Sequence, residues 1–343
     1  MSPQVLIDAR AAARPELGGV ERWAREVSAR LPVLRPDRYG VARPPDALVH
    51  RAGHAWEQAV LPVRARRAGA ELILCPANLA PVASRRNVVV IHDAAALREP
   101  GWYSRAYVAW QRAILPLIAR RARHVVTVSE YSAGELVELL GVPRERISVI
   151  AGGVDARFSP DADAVGARAA LGLPERYVLT VASRTARKNL GVLDPAARVL
   201  AERGVALVAA GGDRPQFAGA DTGGAVRALG HVDDELLPGL YAGASAFVLP
   251  SLHEGFGLTC VEAMASGTPV VAADRAALPQ TVGDAGVLVD PTDPQAIAEA
   301  LLAALDDEAL VSAGRRRAAA FTWERTVSEL DELVTRLLAG QRP

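Results

Sequence analysis

Short, nearly continuous apolar runs punctuate the chain at Val5–Ile7, Leu72–Leu74, Val88–Ile91, Val125–Val128, Ile147–Ile150, Tyr177–Val181, Val205–Ala210, Ala246–Leu249 and Pro269–Ala273. They are rich in Val, Ile and Leu and bounded by polar residues or Gly, the pattern of strands buried on both faces. Between them lie stretches with apolar residues at helical spacing, including Val20–Leu31, Tyr107–Ala119, Leu190–Ala201 and Leu236–Ala242. Strand–helix alternation predicts parallel sheets covered by helices on both sides. The alternation runs twice, before and after Ala151–Val165, a stretch rich in Gly, Asp and Pro that reads as a linker. The expected fold is therefore α/β, with two Rossmann-like, doubly wound parallel-sheet domains facing across a cleft. The boundaries are 1–158 and 166–322, and an amphipathic helix in 323–343 is expected to pack back across both.

With 343 residues, half of them apolar, the chain can build two cores. Lys plus Arg and Asp plus Glu each number 39, which argues against a general nucleic-acid binder. Two cysteines, Cys75 and Cys260, rule out a disulfide scaffold and fit a reducing compartment. With neither a signal peptide nor a long apolar segment in view, a cytoplasmic protein is expected. Arg105–Arg123 is basic and amphipathic and carries Tyr107 and Trp110, so a peripheral membrane contact is conceivable. The balanced total charge favours an ordinary covering helix instead.

The densest chemistry lies in Ala246–Ala272, AFVLPSLHEGFGLTCVEAMASGTPVVA. A strand ends in the loop Ser251–Gly257, and a helix follows with Leu258, Val261 and Ala265 on one face. Gly255 and Gly257 admit close backbone approach, and the amides of Gly257–Thr259 open a helix N-terminus that attracts phosphate. Glu254 and Glu262 flank this anion site and suit hydroxyls on either side of it. Hydroxyl, phosphate, hydroxyl describes a nucleotide sugar. The competing reading is a solvated Glu254 and a Glu262 that merely favours the helix start. A second cluster follows the strand ending at Ala182, where Arg184 and Lys188 offer two cations. Of the 39 basic residues 38 are Arg, and Lys188 is the one Lys. In the first half Gly18–Gly19 follow a short loop after the first strand and open a helix, and His92–Asp93 end the strand Val88–Ile91. Asp93 could orient an imidazole or cap the next helix.

The order Glu254-Gly255-Phe256-Gly257-Leu258…Glu262 resembles the E-x7-E motif of retaining glycosyltransferases of the GT-B fold, family 4, also called group 1. Gly18–Gly19 with Glu21, His92–Asp93, Val128–Ser129, Gly153–Val154–Asp155, Arg184…Lys188–Asn189 and Gly230–His231–Val232 match that family's landmarks in order. Thr259–Cys260 stands where Pro is frequent, and Ala151–Gly152 replaces the usual Pro-Asn. The resemblance implies donor binding in the second domain and acceptor binding mostly in the first. Arg184 and Lys188 would neutralise the diphosphate with help from the Gly257–Thr259 amides. Glu262 would hold the ribose and Glu254 the transferred sugar, with Gly255, Phe256 and Leu258 in the same turn. His92 would lie near the reacting centre, Gly18 and Gly19 would close over the phosphates, and His231 and Val232 would line the base pocket. The implied reaction is a metal-independent transfer to an acceptor hydroxyl with retained anomeric configuration. The leaving phosphate would accept the acceptor's proton. The donor would be a UDP-sugar ahead of a GDP-sugar, and the acceptor a glycan, glycolipid or small natural product. An epimerase of the same fold and a non-catalytic nucleotide-sugar-binding protein are the alternatives. Asp161 and Asp163 spell a metal motif but fall in the linker. No Gly-x-Gly-x-x-Gly follows a strand to support hydride transfer.

Overall fold

A computed structural model describes residues 3–14, 18–49, 53–212 and 224–341. The chain forms two compact units. The first comprises residues 1–98, 108–153 and 323–343, and the second 99–107 and 154–322.

In the first unit the strands are β1 (Val5–Asp8), β2 (Tyr39–Ala42), β3 (Leu72–Cys75), β4 (Asn87–Val90), β5 (His124–Thr127) and β6 (Ile147–Val149). They form one sheet in the order β2-β1-β3-β4-β5-β6, every neighbouring pair parallel. In the second unit β7 (Tyr177–Val181), β8 (Ala206–Ala210), β9 (Arg227–Gly230), β10 (Ala246–Leu249), β11 (Val270–Ala273) and β12 (Val287–Val289) pair, again all parallel, in the order β12-β11-β10-β7-β8-β9. Both are Rossmann-like sheets, as the strand–helix alternation predicts. β3, β5 and β10 are buried along their whole length; β3 and β10 are accordingly apolar at every position, and β5 keeps a Val pair between His124 and Thr127.

Three strands escape the hydrophobic pattern: β2, β9 and β12. Each is an edge strand. An edge buries less of its surface, so β2 and β9 need not be continuously apolar, and β9 is exposed or half-buried throughout; β12, Val-Leu-Val, is apolar but only three residues long. The helix expected over Leu190–Ala201 is also divided. A 3₁₀ turn at Leu190–Leu193 precedes the α-helix Asp194–Ala201, whose first turn holds Pro195. Proline has no N–H to donate and is tolerated there, not mid-helix.

The boundary between the units falls at Gly153 and Val154, inside the linker. Asp163 caps the helix Ala164–Leu171 by accepting the Gly166 N–H at 2.8 Å, so its carboxylate serves the fold. The terminal helix Trp323–Leu338 belongs with the first unit. Its Asp331 accepts hydrogen bonds from Tyr39 Oη at 2.8 Å, Arg38 at 2.6 Å and Arg35 at 3.2 Å. Conversely, Glu99–Tyr107, early in the sequence, clusters with the second unit.

Candidate functional site

In the second sheet β7 is the first strand of the unit, and the chain continues from it to β8 on one side and later to β10 on the other. The gap between β7 and β10 is a topological switch point. Loops leaving the carboxyl ends of its two strands diverge, which opens a crevice for ligands. The two loops here are Ala182–Asn189 after β7 and Pro250–Gly257 after β10, the two segments singled out from the sequence.

They are stapled together. Leu252 N–H donates to Arg187 O at 2.9 Å, and Arg187 Nη1 donates to His253 O at 2.6 Å. Asn189, in the left-handed region at φ 54°, donates from Nδ2 to Pro250 O at 3.2 Å and to Pro291 O at 2.7 Å. Across this staple Lys188 Nζ lies 2.5 Å from Glu254 Oε1, and Arg187 Nη1 3.2 Å from Oε2. The Lys188 and Glu254 side chains are only 12% and 11% exposed. Burial would raise the Glu254 pKa, but Lys188 and then Arg187 outweigh it and hold the carboxyl at about 2. Burial pulls the Lys188 ammonium below its ordinary value, with Glu254 opposing. Arg184 is half-buried, its N–H directed to Gly212 O at 3.3 Å. Gly211, at φ 135°, lets the end of β8 crowd the end of β7: a Cβ there would stand 2.1 Å from Ala182 O.

The helix Leu258–Ala265 starts at Gly257, at φ 97°, where a Cβ would collide with Leu278 Cδ2 at 2.6 Å. The left-handed backbone there would strain any other side chain. The first N–H groups of this helix have no intrahelical acceptor and present a positive dipole end beside Gly255 and Phe256. Thr259 is half-buried in that first turn. Glu262, one turn in, is buried and accepts from Tyr241 Oη at 2.9 Å. Neither glutamate is therefore a solvated surface charge. Cys260 is fully buried and its thiol is pushed up by burial, which makes it inert. Val232 packs into the core beyond β9, while His231 is exposed. His253, not singled out from the sequence, meets the Trp102 ring edge-on at 6.3 Å.

In the first unit His92 follows β4. Its Nε2 lies 2.9 Å from Pro76 O, its N–H donates to Asn78 Oδ1 and its carbonyl accepts from Ser132 Oγ. A carbonyl can only accept, so Nε2 carries the proton and Nδ1 is left as the acceptor. Burial lowers the His92 pKa and keeps the ring neutral. Asp93 does not orient this ring; its carboxylate accepts the Ala95 N–H at 3.1 Å and caps the next helix. Gly18 N–H donates to Glu21 Oε2 at 3.1 Å, and a side chain at Gly19 would stand in open space. Residues 15–17, just before them, lie outside the described residues.

The profile described as "Glycosyl transferases group 1" matches residues 175–307, and that described as "Glycosyltransferase Family 4" matches residues 17–158. O-antigen chain mannosyltransferase B of Escherichia coli is 32% identical over 71% of this chain and 68% of its own. A D-inositol 3-phosphate glycosyltransferase of Salinispora arenicola is 37% identical over 66% of this chain; the match spans 57% of that relative's length. Sucrose-phosphate synthase from Thermosynechococcus elongatus superposes with a TM-score of 0.79 at 23% identity, covering 99% of this chain and 100% of that one. Anabaena HepE in complex with UDP and glucose superposes with 0.72 at 19% identity, covering 97% and 99%. The chain belongs to the family 4, group 1 glycosyltransferases and has their GT-B fold.

Proposed function

We propose that the protein transfers a sugar from a nucleoside diphosphate to an acceptor hydroxyl with retention of anomeric configuration. The observation that carries this is the convergence of Lys188, Arg187 and Glu254 with a glycine-opened helix start at the β7/β10 switch point. In this reading the diphosphate draws Lys188 and Arg184 to itself, the Leu258 and Thr259 amides complete its shell, and Glu254 is released to the hydroxyls of the sugar. The departing diphosphate gains charge as its bond to the sugar breaks. Cations and amides fixed in place stabilise that charge most in the transition state, where stabilisation raises the rate. Glu262, held by Tyr241, takes the ribose, and His231 with the backbone of Val232 flanks the base. His92, a neutral ring with Nδ1 as its acceptor, is the first unit's candidate catalytic residue in this reading. The leaving phosphate accepts the acceptor's proton, so no metal ion and no protein nucleophile enters the scheme. UDP in the complex of Anabaena HepE supports uridine as the first base to try.

Calorimetric titration with UDP and GDP tests the donor site. Lys188→Ala is expected to weaken binding of the preferred nucleotide by ten-fold or more. Unchanged binding in that variant would refute the assignment. Incubating a nucleotide sugar with and without acceptor separates transfer from epimerisation.

A further inference from the structure

The zero net charge of the chain conceals a division. The first unit carries 24 arginines against 17 carboxylates, +7, and the second 15 basic residues against 22 carboxylates, −7. Balanced total charge therefore gives no argument against an anionic partner for the first unit.

The excess is placed on particular helices. Leu61–Arg67 and Arg105–Arg121 contain no carboxylate, and in the adjoining helix Gly53–Ala59 the carboxylate of Glu57 is buried. The helices share one side of the unit. His54 packs on Trp110 with ring centroids 5.2 Å apart. Gln58 accepts the Val82 N–H at 2.8 Å, and Arg121 donates to Val82 O at 3.2 Å. Their solvent faces repeat one design. On the first, Val60 and Val63, 39% and 42% exposed, line up with Arg66 and Arg67 at spacings of three and four. On the second, Ala109, Ala113 and Leu117 form an exposed stripe between Arg112 and Arg120. Trp110 and Tyr107 do not belong to this surface: the first faces His54, and the second stacks on Tyr103 at 5.5 Å.

Small apolar side chains flanked by guanidinium groups, with no carboxylate on the helices that bear them, suit one environment. The headgroup layer of an anionic bilayer meets the cations, and its acyl boundary takes the apolar residues. We propose that this face of the first unit docks on an anionic lipid surface. No helix among the described residues is long and apolar enough to cross a membrane, so the contact is peripheral. The proposal stands independently of the donor-site reading.

Flotation with vesicles tests it. The full chain is expected to float with vesicles of phosphatidylcholine containing 30% phosphatidylglycerol at 0.1 M NaCl. Partitioning should fall ten-fold or more with pure phosphatidylcholine, or at 0.5 M NaCl, where the Debye length drops to about 4 Å. A variant combining Arg66→Gln, Arg67→Gln, Arg112→Gln and Arg120→Gln should lose flotation yet keep its circular dichroism spectrum. Arg315→Gln with Arg316→Gln, exposed in the second unit, should float like the parent. Equal binding to neutral and anionic vesicles, no binding to either, or full binding by the quadruple variant would overturn the proposal. So would competition by soluble glycerophosphoglycerol, which would mark a headgroup pocket, or a salt-sensitive dimer formed without lipid, which would mark a second copy as the occupant.

Discussion

At the scale of single residues, Glu254 serves two masters. With no donor bound it neutralises Lys188 and Arg187; in the proposed reaction it must turn to the sugar. Glu254→Gln removes the competitor for those cations. We expect that variant to bind the nucleoside diphosphate more tightly, by up to about ten-fold, while transfer falls by about 100-fold. Calorimetry and a product assay read the two effects separately. The same pair sets a pH dependence. The folded-state pKa of Glu254, about 2, lies below its ordinary 4.5, so the stability it contributes is present above pH 4.5 and lost as pH falls from there toward 2. Urea titrations of the parent and Glu254→Gln should therefore differ most at neutral pH and converge near pH 2. The glycine turn singled out Glu254 and Glu262 in the sequence, and a strand end singled out Arg184 and Lys188. Neither could reveal Arg187 as the staple, or Tyr241 as the holder of Glu262. Those contacts join segments 66 and 21 residues apart, and nothing local encodes them.

At the scale of elements, the sequence is most legible where burial is complete. β3, β5 and β10 spell themselves out, and so does β6 although it is an edge; β2 and β9, edge strands with exposed positions, and the three-residue β12 do not. Partner identity was equally hidden for the terminal helix. Its apolar stripe announces a helix, but only the fold shows Asp331 beneath Tyr39, Arg35 and Arg38. Replacing Asp331 with Ala should cost about 1–3 kcal/mol, because the buried Tyr39 hydroxyl loses its acceptor while Arg35 and Arg38 can turn to solvent, and chemical denaturation would measure it. A second buried cluster lies at the carboxyl end of β1. Arg10 Nε lies 2.7 Å from Glu57 Oε2, and Asp8 accepts the Arg10 backbone N–H at 3.0 Å. Burial raises Glu57 to about 7, with Asp8 adding to the rise and Arg10 opposing it. The folded chain thus keeps a proton there that the unfolded chain has released, and stability should decline as pH climbs from 4.5 through 7. In Glu57→Gln that slope should flatten, as thermal melts across the interval would report.

At the scale of the whole molecule, the two sheets were readable as a count and an order of elements, since each repeats the same alternation. Assignment of segments to units was less so: the terminal helix, expected across both, clusters with the first unit, and nothing local marks Glu99–Tyr107 as clustering with the second. The charge division was invisible for the same reason. A ligand confined to the second unit should raise the thermal transition of that unit first, by an amount equivalent to about 2.7 kcal/mol at a hundred times its dissociation constant. Differential scanning calorimetry with and without the preferred nucleotide would resolve this, and an equal shift of the first unit would argue against the assignment. One more consequence attends the solitary lysine. Apart from the amino terminus, Lys188 is the only primary amine in the polypeptide. Reductive methylation with isotopically labelled formaldehyde would thus install a reporter at a single side chain, and its resonance would register the exchange of a carboxylate for a phosphate without any engineered tag.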